Sequence, residues 1–139
     1  MRQAIVAEAQ TWLRTPYHAC AKVKGVGVDC GMLLIAVYST GGNIPEFDPG
    51  PYSPEWHKHR SEELYLNHML RFFDEIPLSD VLPGDALVYK YGRTWSHGAI
   101  VVGENEVIHA YKGMGVILST IGDYPLDNRV PRAFRLKGL

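Results

Sequence analysis

The hydrophobic period of the chain changes at Pro83-Gly84-Asp85, and this change constrains the fold more than any other feature of the sequence. Before it, apolar residues recur at helical spacing; after it, they fall into short runs separated by turn residues. Ile5, Ala9, Trp12 and Leu13 place a helix over about Arg2 to Leu13, stopped by Pro16, because the residue ahead of a proline avoids the helical region. Tyr17 to Val28 reads as a loop carrying Gly25 and Gly27. Asp29 is a good helix N-cap, since its side chain can accept from an orphan backbone N–H. The run Met32 to Val37 is dense enough for a fully buried helix, ending near Ser39-Thr40-Gly41-Gly42. Asn43 to Pro54 contains Pro45, Pro49, Pro51 and Pro54 and reads as a long loop of the kind that often carries function. A further helix starts at Ser61-Glu62-Glu63, with Leu64, His68, Met69 and Phe72 on one face and Leu66, Leu70 and Phe73 adding to it.

Beyond the change of period, strands are predicted at Ala86–Tyr91, His97–Val102, Glu106–Tyr111, Gly115–Ser119 and Arg132–Leu136, with a turn at Gly103-Glu104-Asn105. Helices first and strands later imply an α+β fold, whose roughly five regularly spaced strands suit an antiparallel sheet or a small barrel. A length of 139 residues suits one domain spanning 1–139, its helical part about 1–75 and its sheet part about 84–137. The 14 basic and 15 acidic residues nearly cancel, which gives no basis for a nucleic acid or an anionic membrane as partner. No apolar run approaches the roughly 20 residues of a membrane span. The first ten residues include Glu8 and lack an apolar run of signal-peptide length, so the expectation is a chain without a signal peptide, cytoplasmic when made.

The chemistry centres on Cys30, placed where loop becomes helix. A thiol there feels the positive end of the helix dipole, and with an imidazole nearby it would form a thiolate, with a pKa of roughly 3.5–7.5. Its backbone N–H is one of the orphan amides of the helix start and could serve an oxyanion. His97 opens one strand and His109 stands on the next. With the turn as placed, His109 faces Ala99 and His97 is its diagonal neighbour on the same sheet face, close enough for one ring to hold the other. One cysteine with distant histidines is the outline of a cysteine hydrolase. Tyr17, in Thr15-Pro16-Tyr17-His18, reads from the residues alone as an aromatic packed at a helix end, although a phenol can also donate to an oxyanion. The only other cysteine, Cys20, lacks metal-site spacing to Cys30 and reads as a small packing residue in reduced form. His18 and His68 read as structural. His57 and His59 lie in a proline-rich stretch without a full ligand set, and Tyr52 and Trp56 suit either partner contact or core capping. No metal or organic cofactor is expected.

Five segments in order, Thr15-Pro16-Tyr17, Gly27-Val28-Asp29-Cys30, Leu82-Pro83-Gly84-Asp85-Ala86-Leu87, Ser96-His97-Gly98-Ala99-Ile100-Val101-Val102 and Val107-Ile108-His109-Ala110, resemble the NlpC/P60 family of papain-like cysteine peptidases over most of the chain. The resemblance implies N-terminal helices packed on a central antiparallel sheet of about five strands, with Cys30 as nucleophile, His97 as base and His109 as the residue that orients the base, and it brings Tyr17 and Asp29 into the site as oxyanion or substrate residues. It implies cleavage of peptidoglycan stem peptides, often at the γ-D-glutamyl bond to the diamino acid. Gly31-Met32 replaces the family's common Ser-Gly after the cysteine, which removes a hydroxyl beside the nucleophile. The stretch from Asn43 to Phe73 is similar to that of short peptidases of phage tails and gene transfer agents, which implies tail hub proteins as partners and incorporation into a particle. The same residues would also fit a thiol amidase or acyltransferase, or a tail component that has lost turnover.

Overall fold

The structure is a computed structural model that describes residues 1–40, 43–45, 64–92 and 94–139. Most of the proline-rich loop, the helix start at Ser61-Glu62-Glu63 and the residues Tyr52, Trp56, His57 and His59 lie outside the described residues, as does the glycine pair read as a C-cap.

Three helices are described, α1 at Arg2–Thr11, α2 at Cys30–Ser39 and α3 at Leu64–Phe72. The strands are β1 (Lys22–Val23), β2 (Gly27–Val28), β3 (Phe73–Ile76), β4 (Ala86–Tyr91), β5 (Thr94–Gly103), β6 (Glu106–Tyr111), β7 (Gly115–Thr120) and β8 (Arg132–Leu136). β1 and β2 form a small ribbon, and the other six form one antiparallel sheet in the order β3-β8-β4-β5-β6-β7. The α+β arrangement expected from the change of period is present.

The sheet has six strands rather than about five, because Phe73 leaves the third helix and starts β3. Phe73 is buried, as its place on the apolar stripe implied, but it reaches the core from an edge strand paired only with β8. Leu70 departs from the expected face and is exposed, whereas Leu66 and Met69 are buried. The first helix stops at Thr11, ahead of Pro16, and the chain then turns through Arg14 at φ 72. The segment read as plain loop contains the β1–β2 ribbon.

Both faces of the sheet are covered, so β4 and β5 read as continuous apolar runs rather than alternations. One face packs Val88, Ile100, Ile108 and Phe134 against Leu33, Val37 and Tyr38 of α2. The other packs Leu87, Ala99, Val101 and Val107 under Leu126, from the segment that links β7 to β8. α2 is therefore held by a wide apolar contact, and its first residue, Cys30, is carried to the sheet by that packing.

A second set of contacts fixes the approach to α2. Arg14 N–H donates to the carbonyl of Val116 at 3.0 Å, and Val116 N–H returns a bond to Thr15 at 2.9 Å. Gly115 makes this approach possible: its φ is +80, and a Cβ there would lie 2.7 Å from the Thr15 carbonyl oxygen. Pro16 and His18 then exchange backbone bonds with Val28, which sets Tyr17 beside the strand that runs into Asp29 and Cys30.

Candidate active site

Asp29 caps α2 as its residue type suggests. Its Oδ1 accepts from Met32 N–H at 2.9 Å, and its Oδ2 accepts from Cys20 N–H at 2.7 Å. The carboxylate is buried and engaged by backbone, and its charge opposes a second negative charge nearby, raising the pKa values of Cys30 and Tyr17. Asp29 thus holds the helix start and the preceding loop; a buried carboxylate engaged in this way is not a donor for an oxyanion. Cys20 is exposed rather than packed, in a left-handed conformation at φ 62. His18 is likewise on the surface.

The sulfur of Cys30 sits where β5 and β6 part. Val101 exchanges both its backbone bonds with the Gly84–Asp85 turn leading into β4, so by alternation Ile100 and Gly98 turn their backbone groups toward β6. The β5–β6 ladder runs only to the pair Ile100↔Ile108, which leaves the groups of β5 beyond it without a partner from β6. Cys30 fills this place: its Sγ donates to the carbonyl of Ser96 at 3.4 Å and meets the amide of Gly98. Ser96 is also the extra residue of a bulge, since Tyr89 pairs with His97 and Lys90 with Trp95. The nucleophile candidate thus touches the residues on both sides of His97.

The two histidines meet as the register predicted. Ile100↔Ile108, carried one residue further, sets His109 opposite Ala99 and diagonal to His97. Nε2 of His97 lies 2.8 Å from Nδ1 of His109. Nε2 of His109 lies 2.7 Å from the hydroxyl of Ser119 on β7. Sequence reasoning did not single out Ser119. The signal was a lone polar residue in the run Val116-Ile117-Leu118-Ser119; with His109↔Ile117 paired, Ser119 falls on the face of His109. Tyr91 and Tyr111 close around the His97 ring at centroid distances of 5.2 and 5.6 Å, and the Arg129 guanidinium stacks 3.7 Å above Tyr91. These three residues were also not anticipated.

The electrostatics correct one expectation. Burial pushes the Cys30 thiol up to about 12, and the charge of Asp29 adds to this, outweighing the amides of Gly98, Gly31 and Cys30 that favour the thiolate. Burial holds His97 well below its usual range, helped by the charges of His109 and Arg129, and burial lowers His109 to about 4. The resting site is a neutral thiol beside neutral imidazoles, in place of the depressed thiol that the helix dipole alone suggested. Burial also raises the Tyr17 phenol, with Cys30 and Asp29 adding to the effect, so it remains a donor at neutral pH.

The class this defines is an α+β protein in which a helix-borne cysteine meets a sheet bearing a hydrogen-bonded histidine pair. The chain belongs to the NlpC/P60 family, whose sequence profile matches residues 14–133. Among solved structures, the NlpC/p60 domain of the peptidoglycan hydrolase SagA is 24% identical with a TM-score of 0.64, covering 96% of this chain and 97% of that one. An NlpC/P60 family protein from Bacillus cereus ATCC 10987 is 17% identical with a TM-score of 0.73, covering 98% of this chain and 40% of that one. The peptidoglycan hydrolase RipB from Mycobacterium tuberculosis is 18% identical with a TM-score of 0.60, covering 96% of this chain and 63% of that one. The chain therefore spans nearly all of the SagA domain and less than two thirds of the other two. At these identities the structures establish the fold. No curated protein sequence matches the chain.

Proposed function

We propose that the chain is a cysteine endopeptidase that cleaves peptidoglycan stem peptides, at the γ-D-glutamyl bond to the diamino acid. The observation that carries this reading is the seat of Cys30 Sγ against the flanks of His97, whose ring is held by His109. Family membership and the likeness to two peptidoglycan hydrolases support the substrate class.

In the reaction, the sulfur leaves the Ser96 carbonyl and passes its proton to Nδ1 of His97 as it attacks the scissile carbonyl carbon. A low-dielectric site with both partners neutral suits this transfer at the moment of attack, without a standing ion pair. The amides of Cys30 and Gly31 and the phenol of Tyr17 receive the developing oxyanion. The C–N bond breaks, His97 returns the proton to the leaving amine, and a thioester remains on Cys30. A water that gives its proton to His97 then attacks the thioester, releases the acid and restores the thiol.

The stretch 43–73, aromatic and proline-rich, supports a place for the enzyme in a phage or phage-like tail, docked on hub proteins. The decisive experiment is digestion of purified muropeptides with mass analysis of products. Cys30→Ala should abolish cleavage while the circular dichroism spectrum is unchanged, and full cleavage by Cys30→Ala would overturn the reading. Release of Cys30→Ala particles that assemble normally but fail to enter cells would support the tail location, and absence of the chain from purified particles would refute it.

A further inference from the structure

Beyond the cysteine and the two histidines, the buried polar file continues one residue further, to Ser119 on the outer strand β7. The His109 ring is fully buried, and the Ser119 hydroxyl lies 2.7 Å from its Nε2. The file runs from His97 through His109 to Ser119, across three consecutive strands β5, β6 and β7, with Cys30 of α2 seated against the residues that flank His97. A neutral imidazole carries one proton, so each hydrogen bond in such a file fixes the direction of the next.

The direction is set by the state in which His97 holds two protons. Its Nε2–H must then donate to His109, so Nδ1 of His109 must be bare. The His109 proton consequently sits on Nε2, in a ring shut off from solvent, and needs an acceptor. Ser119 Oγ is the atom placed to accept it. If Ser119 donated instead, His109 would carry its proton on Nδ1 and give it to Nε2 of His97. His97 would then hold its own proton on Nδ1 and could take none from the thiol.

We infer that Ser119 is a positioning residue, whose hydroxyl accepts the Nε2–H of His109 and so keeps His97 in the tautomer that can receive the Cys30 proton. The inference rests on the proposed role of His97 as base. Replacing Ser119 by alanine leaves the Nε2–H of His109 unpaired and buried, which makes the reversed file competitive. Loss of one buried partner of this kind corresponds to about a 10- to 100-fold fall in the population or rate that depends on it.

The test uses the full chain and compares Ser119→Ala with Ser119→Thr, which keeps a hydroxyl and suits a strand. Long-range proton–nitrogen correlation spectra of histidine-labelled protein report which ring nitrogen carries the proton in the folded molecules. Iodoacetamide with peptide mass analysis reports the alkylation rate of Cys30, separately from Cys20. In the parent chain and Ser119→Thr, His109 should be protonated at Nε2 and Cys30 should alkylate at similar rates. In Ser119→Ala, the Nδ1-protonated form of His109 should appear, and Cys30 alkylation and muropeptide kcat should fall about 10- to 100-fold with KM little changed. A folded Ser119→Ala protein with the parent's imidazole spectrum and alkylation rate would overturn the inference. If the tautomer and alkylation shift but even the parent chain leaves muropeptides intact, the positioning role stands and the peptidoglycan reading falls.

Discussion

Two buried polar clusters on one sheet are built by opposite rules. Asp85, fully buried where the chain enters β4, is met by Arg135 at 2.9 and 3.1 Å, by Arg2 at 3.0 Å and by Leu82 N–H at 2.9 Å. It is a charge paired from three directions, tying α1, the turn before β4 and the inner strand β8 together. The His97–His109–Ser119 file is also buried and carries no compensating carboxylate among its hydrogen-bond partners. It is kept neutral by burial, and its bonds run single file from Nε2 of His97, so Nδ1 is the nitrogen outside the file. The first arrangement spends all its hydrogen-bonding capacity on holding the fold, whereas the second keeps one position in reserve. Asp85 and the two histidines all lie in segments that carried the family resemblance, so the resemblance alone does not tell a staple from a site; the count of partners does.

If the two clusters have separate duties, substitutions should divide them. The largest effect is on turnover: Cys30→Ala should lower muropeptide cleavage at least about 1,000-fold, with the thermal unfolding midpoint nearly unchanged. Asp85→Ala should do the reverse. Losing the buried carboxylate shared by two part-exposed arginines and the Leu82 N–H costs about 1.5–3 kcal/mol of stability, read by chemical denaturation, while the cleavage rate per folded molecule should stay near that of the parent. A collapse of turnover in folded Asp85→Ala protein would break the division.

The smaller effect concerns pH. His97 and His109 are lowered in the folded state relative to an unfolded value of about 6.5, so protons bind the unfolded chain more readily. The stability they contribute is complete above about pH 6.5 and is lost as pH falls through the folded values. For His109, lowered to about 4, the loss between pH 6.5 and 4 is at most roughly 3 kcal/mol. Urea unfolding at a series of pH values should show this decline, and His109→Gln should flatten it. An unaltered slope in His109→Gln would mean that His109 is not the titrating group.

How much of this was legible beforehand depended on whether the cause was local. β4, β6 and β8 have the bounds expected, because turn residues flank each of them. The His97–His109 diagonal was legible because it depends on one short hairpin. Even there the turn is tighter than drawn: Gly103 pairs with Glu106, and a bulge between Val101 and Gly103 takes up the difference, so the histidine register survives. β3 was missed because Phe73 continues the apolar stripe of the preceding helix, and its strand partner Leu136 is distant in sequence. The Cys30 thiol was misjudged for a related reason. The helix dipole can be read from the residues around Cys30, but its burial against Ser96 and Gly98 comes from a strand far along the chain. Ser119 escaped because one serine in an apolar strand acquires meaning only when the β6–β7 register is known.

The central claim is that His97 serves the sulfur of Cys30 as base, and Cys30 alkylation in His97→Ala tests it most directly. Cys20, exposed, gives an internal control in the same sample. At pH 7 the substitution should slow iodoacetamide alkylation of Cys30 by about tenfold or more and leave that of Cys20 unchanged. Equal rates at Cys30 with and without the imidazole would contradict the account.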